Sequence, residues 1–132
     1  MSGTNALKSD LKMSLTDLDE HERDVVRQCL QAAVEGPFFP DWEFGAIFGL
    51  EREEVRSVLR SWPEIDETDQ SVVVAINNSI NNLLGYPAPN KREVWPKFIS
   101  VDGMELARIF DKWKGRAPRI SYKARDYFDD AM

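Results

Sequence analysis

The stretch Phe44-Gly45-Ala46-Ile47-Phe48-Gly49-Leu50-Glu51-Arg52-Glu53-Glu54-Val55-Arg56-Ser57-Val58-Leu59-Arg60 decides the fold. On either side of Gly49 the apolar residues recur at steps of three and four, the pattern of two short amphipathic helices. Gly49 can adopt the left-handed conformation that ends a helix, and Gly45 reads as the small residue where the two helices cross. Phe44, Phe48, Leu50, Val55 and Val58 then take the inward positions. Asp41 can cap the first helix, and Pro63 stops the second after Trp62. The segment reads as a helical hairpin.

Working outward, Thr16 offers an N-cap with Asp19 and Glu20 in the first turn, where the helix dipole favours anions. Leu18, Val25, Val26, Cys29, Leu30, Ala33 and Val34 follow at helical spacing until Gly36-Pro37. This helix and the hairpin form an N-terminal three-helix unit, with Phe38-Phe39-Pro40 as a core plug between them. Beyond the hairpin comes an acidic loop, Glu64–Asp69, then a helix from about Asp69 to Leu84. Val72-Val73-Val74 alone suits a strand, but no partner strand is legible elsewhere. A short helix is expected before Trp95-Pro96, and a last one spans about Asp102 to Lys114, stopped by Gly115. The fold class is all-α: a single compact domain of five to six helices over residues 15–115. Residues 1–14 read as a loose arm, and 116–132 as a charged tail with one more helical turn around Lys123–Phe128.

The chain has 132 residues, 42% of them hydrophobic, with four Trp and seven Phe, so one domain can bury a core without staples. Its one cysteine, Cys29, lies among Val26, Leu30 and Ala33 and reads as a buried reduced thiol. No apolar run approaches the ~18 residues of a membrane span, and the N-terminus lacks a secretory core. A cytoplasmic protein is expected. The net charge of −6 is uneven: residues 1–70 carry 16 acidic and 7 basic side chains, residues 71–132 carry 7 and 10. An acidic half opposes phosphate-backbone binding and suits a basic protein partner, or it is simply a solvated face.

The 44–60 pattern resembles the DNA-binding helix-turn-helix, with the 16–35 helix completing the unit. Arg52, Arg56 and Arg60 share one face of the would-be recognition helix, as groove or phosphate contact requires. Glu51, Glu53 and Glu54 interleave with them, and any tight helical hairpin needs the same inward residues. A structural hairpin and a DNA reader both remain open.

On the 69–84 helix, taking Asn77 as zero, Asn81, Asn78 and Asn82 fall at about 40°, 100° and 140°. Val73, Ile76, Ile80, Leu83 and Leu84 lie at about 240–340°. Asn is a poor helix former, so four in six residues cost local stability. Their amides donate and accept, and so suit either loops of the same domain, such as the Gly85–Asn90 turn, or a partner.

Catalytic constellations are missing. His21 reads as a solvated residue without a second ligand or base, and Ser57, Ser71 and Ser79 lack a Gly-x-Ser-x-Gly setting. No catalytic residue, metal ligand or cofactor is assigned, and no enzyme is expected.

Finally, the strings Gly36-Pro37-Phe38-Phe39-Pro40-Asp41-Trp42-Glu43-Phe44, Phe48-Gly49-Leu50 and Asn81-Asn82-Leu83-Leu84-Gly85-Tyr86-Pro87 resemble a set of small uncharacterised bacterial proteins, over about residues 15–90. The resemblance implies a compact bacterial cytoplasmic domain and carries no site. The expected function is a protein-binding module acting by contact, regulatory, inhibitory or immunity-type. A basic partner would meet Glu64, Asp66, Glu67 and Asp69 on the loop and Asn78 and Asn82 on the helix. The alternative is a helix-turn-helix regulator using Arg52, Arg56 and Arg60. Nucleic acid is the less expected partner, no membrane is involved, and a homo-oligomer is compatible with the sequence.

Overall fold

The computed structural model describes residues 14–85 and 93–116. A 3-10 turn, Leu15–Asp17, leads into six α-helices: α1 (Glu20–Glu35), α2 (Asp41–Phe48), α3 (Arg52–Ser61), α4 (Gln70–Gly85), α5 (Trp95–Phe98) and α6 (Gly103–Trp113). Among the described residues there is no strand, so the fold is all-α and forms one compact domain.

The helix ends follow local chemistry. α1 starts later than Thr16, because Asp19 and Glu22 form a capping box: the Asp19 carboxylate accepts from Glu22 N–H at 2.8 Å, and Glu22 accepts from Asp19 N–H at 2.9 Å. Thr16 instead lies in the 3-10 turn, which Ser14 caps. Gly36 caps α1, its N–H donating to the Ala32 carbonyl, and a Cβ there would sit 2.7 Å from that oxygen, so the site favours glycine. Gly49 ends α2 in the left-handed region at φ 69°, as its place in the hairpin requires. α5 begins at Trp95 rather than before it. Pro96 falls in its first turn, where a missing N–H costs nothing.

α4 lies at the centre, packed against α1, α2, α3 and α6, while α1 also meets α3 and α5. The core holds Val25, Val26, Cys29 and Leu30 of α1, Phe44 and Phe48 of α2, Ile76 and Ile80 of α4, and Leu106, Ile109 and Trp113 of α6. Phe38 and Phe39 plug it as the sequence suggests, each 4% exposed. Phe39 sets its ring edge-on to Phe48, with centroids 5.2 Å apart, while Phe44 and Phe48 stack at 4.1 Å.

Gly45 departs from expectation. It is exposed, and a Cβ there would meet only the Glu51 carboxylate, at 3.7 Å. The hairpin crossing therefore does not require its small size. Ser14 also leaves the supposed arm: it is buried, and its N–H donates to the Trp113 carbonyl at 3.0 Å. Arg116, assigned to the tail, pairs with buried Asp111 at 2.8 Å. Residues 1–13 of the arm, the 86–92 turn and the tail from 117, including Lys123–Phe128, lie outside the described residues.

Candidate interaction surface

Arg52 opens α3 and points inward. Its Nη1 donates to the carbonyls of Ala33 and Val34, both at 3.0 Å, and its Nη2 donates to the Phe39 carbonyl at 2.9 Å. The first two carbonyls belong to the last turn of α1, where no helical donor remains. Nη2 also pairs with Asp41 at 2.7 Å, and the guanidinium lies 4.3 Å from the centroid of Phe44. Arg52 thus ties α1, the Phe38-Phe39 plug and α2 together and is not displayed to a groove. The sequence placed it on one face with Arg56 and Arg60, but its proximity to the open end of α1 turns it inward.

Arg56 and Arg60 stay near the surface, and both engage the Glu53 carboxylate, at 3.1 and 3.3 Å. Glu51, Glu53 and Glu54 are all exposed. Glu54 accepts from the Glu51 N–H at 2.7 Å and so serves the start of α3. The helix that would read DNA therefore presents carboxylates at its leading end.

The acidic loop divides. Glu64, Asp66 and Asp69 are exposed, but Glu67 is half-buried. Its carboxylate accepts from the Leu15 N–H, at 2.9 Å to Oε1, and from the Trp113 indole, at 2.9 Å to Oε2. The expectation that Glu67 is an outward partner contact is thus corrected: it fastens the first described turn to the end of α6. Asp66 accepts from the backbone N–H and hydroxyl of Thr68, and those bonds hold its carboxyl below the usual range. Asp69 accepts from Ser71 N–H at 2.9 Å, in the manner of a helix cap.

The asparagine stripe also turns inward. Asn78 Nδ2 donates to the Phe48 carbonyl at 2.7 Å, and Asn82 Nδ2 to the Ile47 carbonyl at 3.4 Å. These are carbonyls at the end of α2, so the amides finish a second helix much as Arg52 finishes α1. Asn77 donates to Asn78 Oδ1 at 3.0 Å, leaving Asn81 exposed. Asn78 and Asn82 are the stripe's inner members, not its outward ones.

Three features were not read from the sequence. Glu22, 3% exposed, accepts from Lys112 Nζ at 2.8 Å and from Arg108 at 3.2 Å. Burial alone would raise its pKa. Hydrogen bonds from Lys112, the Asp19 backbone and Arg108 outweigh it and hold the carboxyl below its ordinary value. Ser79 is fully buried on α4, and its hydroxyl has no partner among the described residues. Trp42 is 81% exposed, far more than any other large hydrophobic side chain described. The last was legible: at ~100° per residue, Trp42 lies about opposite Phe44 and Phe48.

His21 is exposed, and Cys29 is buried with its thiol pKa pushed up by desolvation. Among the described residues no group of three His, Cys, Asp or Glu side chains is placed to hold a metal ion. No described helix is long and apolar enough to cross a membrane. No protein-family model matches the chain, and neither a curated protein nor a solved structure matches it significantly.

Proposed function

We propose that the protein is a cytoplasmic contact module that binds a basic protein partner, in a regulatory, inhibitory or immunity-type role, without catalysis. One observation carries this reading: the hairpin that resembles a DNA reader turns Arg52 into the fold and shows Glu51, Glu53 and Glu54 outside. Affinity for a phosphate backbone comes from cations that neutralise it, and here the leading face of α3 is acidic. Basic proteins are steered to such a face, and the steering weakens as salt screens it. Exposed Glu64, Asp66 and Asp69 extend the acidic surface beyond the hairpin.

The test compares two partners. Tagged protein is used to purify a partner across a salt series, and mobility shifts are run on genomic fragments at ~50 mM salt. A partner whose association rate falls with salt, together with no DNA shift, supports the reading. A DNA complex lost on Arg56→Ala with Arg60→Ala overturns it.

A further inference from the structure

We propose that the outer face of α2, centred on Trp42, is the seat for a short arginine-bearing segment of a protein partner. The proposal rests on the basic-partner reading above and names where and how the partner docks.

A tryptophan buries 150–250 Å² when covered, which makes it a costly side chain to leave in water. In this fold Phe44 and Phe48 turn α2 toward the core, and Trp42 points the other way at 81% exposure. Gly45, Ala46 and Gly49 are exposed as well. Relative to Trp42, Gly45 and Ala46 lie at about 300° and 40°, so these three helical residues share one uncharged face, with Gly49 following as the cap. Packing does not impose the small residues. An added Cβ at Gly45 would meet only the Glu51 carboxylate, whereas Gly49 is set by its left-handed backbone. Inside a helix a glycine costs ~1 kcal/mol relative to alanine, so Gly45 weakens α2 for no internal packing reason. The result is an exposed strip of small residues beside an exposed indole.

Charge selects the occupant. The Asp41 side chain, 94% exposed, adjoins Trp42 in the chain and already pairs with a guanidinium, that of Arg52. The Glu51 carboxylate lies beside Gly45 on the same strip. An arginine can lay its planar guanidinium on the indole face, run its stem over Ala46 and meet these carboxylates, whereas lysine offers a compact, strongly hydrated charge that stacks less well. A second copy of the chain would bring its own Asp41, Glu43, Glu51, Glu53 and Glu54 against the same acids. DNA would bring phosphates.

The test uses the full chain and three short fluorescent peptides, in which leucine alternates with arginine, lysine or glutamate. The arginine peptide should bind, the lysine peptide several-fold more weakly and the glutamate peptide not at all. Trp42→Ala should weaken the arginine peptide at least tenfold with an unchanged unfolding midpoint, since so exposed a side chain supports little of the fold. Ala46→Arg, which covers the strip and repels the peptide, should do the same. Equal binding of the arginine and lysine peptides, or no peptide binding at millimolar concentration, overturns the seat. Suppose instead that Trp42→Ala binds like the wild type while Glu64→Lys with Asp66→Lys and Asp69→Lys abolishes binding. The seat is then wrong, and the basic-partner reading stands on the loop. If the native partner's association also ignores salt, both fall.

Discussion

The Asn78 side chain donates its amide to the Phe48 carbonyl at 2.7 Å, joining the middle of α4 to the last residue of α2. That bond reverses what helix propensity alone says of Asn78. In an isolated helix Ala is the better residue. In the folded protein, Asn78→Ala leaves a half-buried carbonyl without its donor, which costs about 1–3 kcal/mol. Asn82→Ala should cost less, because its bond to Ile47 is 3.4 Å long. Exposed Asn81→Ala should be neutral or raise stability by up to about 0.5 kcal/mol. Urea denaturation of the three variants checks the order. Equal effects at positions 78 and 81 would contradict the capping role.

Arg52 and Arg56 share a helix face and a charge, yet they should respond very differently to removal. Arg52→Ala gives up hydrogen bonds to Ala33, Val34 and Phe39 as well as the contact with Phe44, for an expected loss of about 2–4 kcal/mol. Arg52→Lys should recover only part of this, because one ammonium cannot reproduce the guanidinium's fork. Arg56→Ala removes an ion pair with exposed Glu53 and should change stability by less than about 0.5 kcal/mol. Thermal or urea unfolding gives the comparison. A stability loss at Arg56 matching that at Arg52 would mean that Arg52 does not hold α1, the plug and α2 together.

These two residues also show where sequence reading stopped. Helix positions, the turn at Gly49, the Phe38-Phe39 plug and the buried Cys29 follow from periodicity and turn chemistry, which are local. The destinations of Arg52, Asn78 and Glu67 depend on acceptors and donors 13 to 52 positions away, and spacing carries no signal for those pairs. α4 misled in a second way. It is packed on several sides, with Ala75 and Ser79 buried beside the amides. Periodicity predicts one apolar stripe and one polar face, whereas the small residues Ala75 and Ser79 are buried outside that stripe. Trp42 was within reach, since the same helical angle that buries Phe44 and Phe48 sends it outward.

Charge reversal along the 64–69 loop should separate its two kinds of carboxylate. Glu64→Lys is an exposed loop change and should alter stability by less than about 0.5 kcal/mol. Glu67→Lys replaces the acceptor of the Leu15 N–H and the Trp113 indole with a donor and leaves both buried donors unsatisfied. Its expected cost is about 2–4 kcal/mol. Because the bond reaches the fully buried Trp113, the tryptophan emission of the folded protein should also shift. Equal stability and unchanged emission in the two variants would rule out the fastening role of Glu67.

Glu22 should give the protein part of its acid sensitivity. Its folded carboxyl is held below the ordinary value by Lys112, the Asp19 backbone and Arg108, which together outweigh its burial. A depressed folded pKa contributes stability above the unfolded value, near 4.5, and that contribution disappears as pH falls through the folded value. Removing one partner of a buried ion pair costs 3–5 kcal/mol. Here Lys112 and Arg108 are 42% and 40% exposed and can turn to water, so Glu22→Gln should cost about 1–2 kcal/mol at pH 7. Glutamine keeps the shape and cannot titrate, so the gap between wild type and variant should narrow as pH falls below about 4.5 and through the lowered folded value. Other lowered carboxylates, Asp24 and Asp66, remain in both proteins and cancel in the difference. Urea unfolding from pH 7 to 3 measures the gap directly. A difference that stays constant over that range would show that the Glu22 cluster acts through packing and hydrogen-bond shape rather than through its charge.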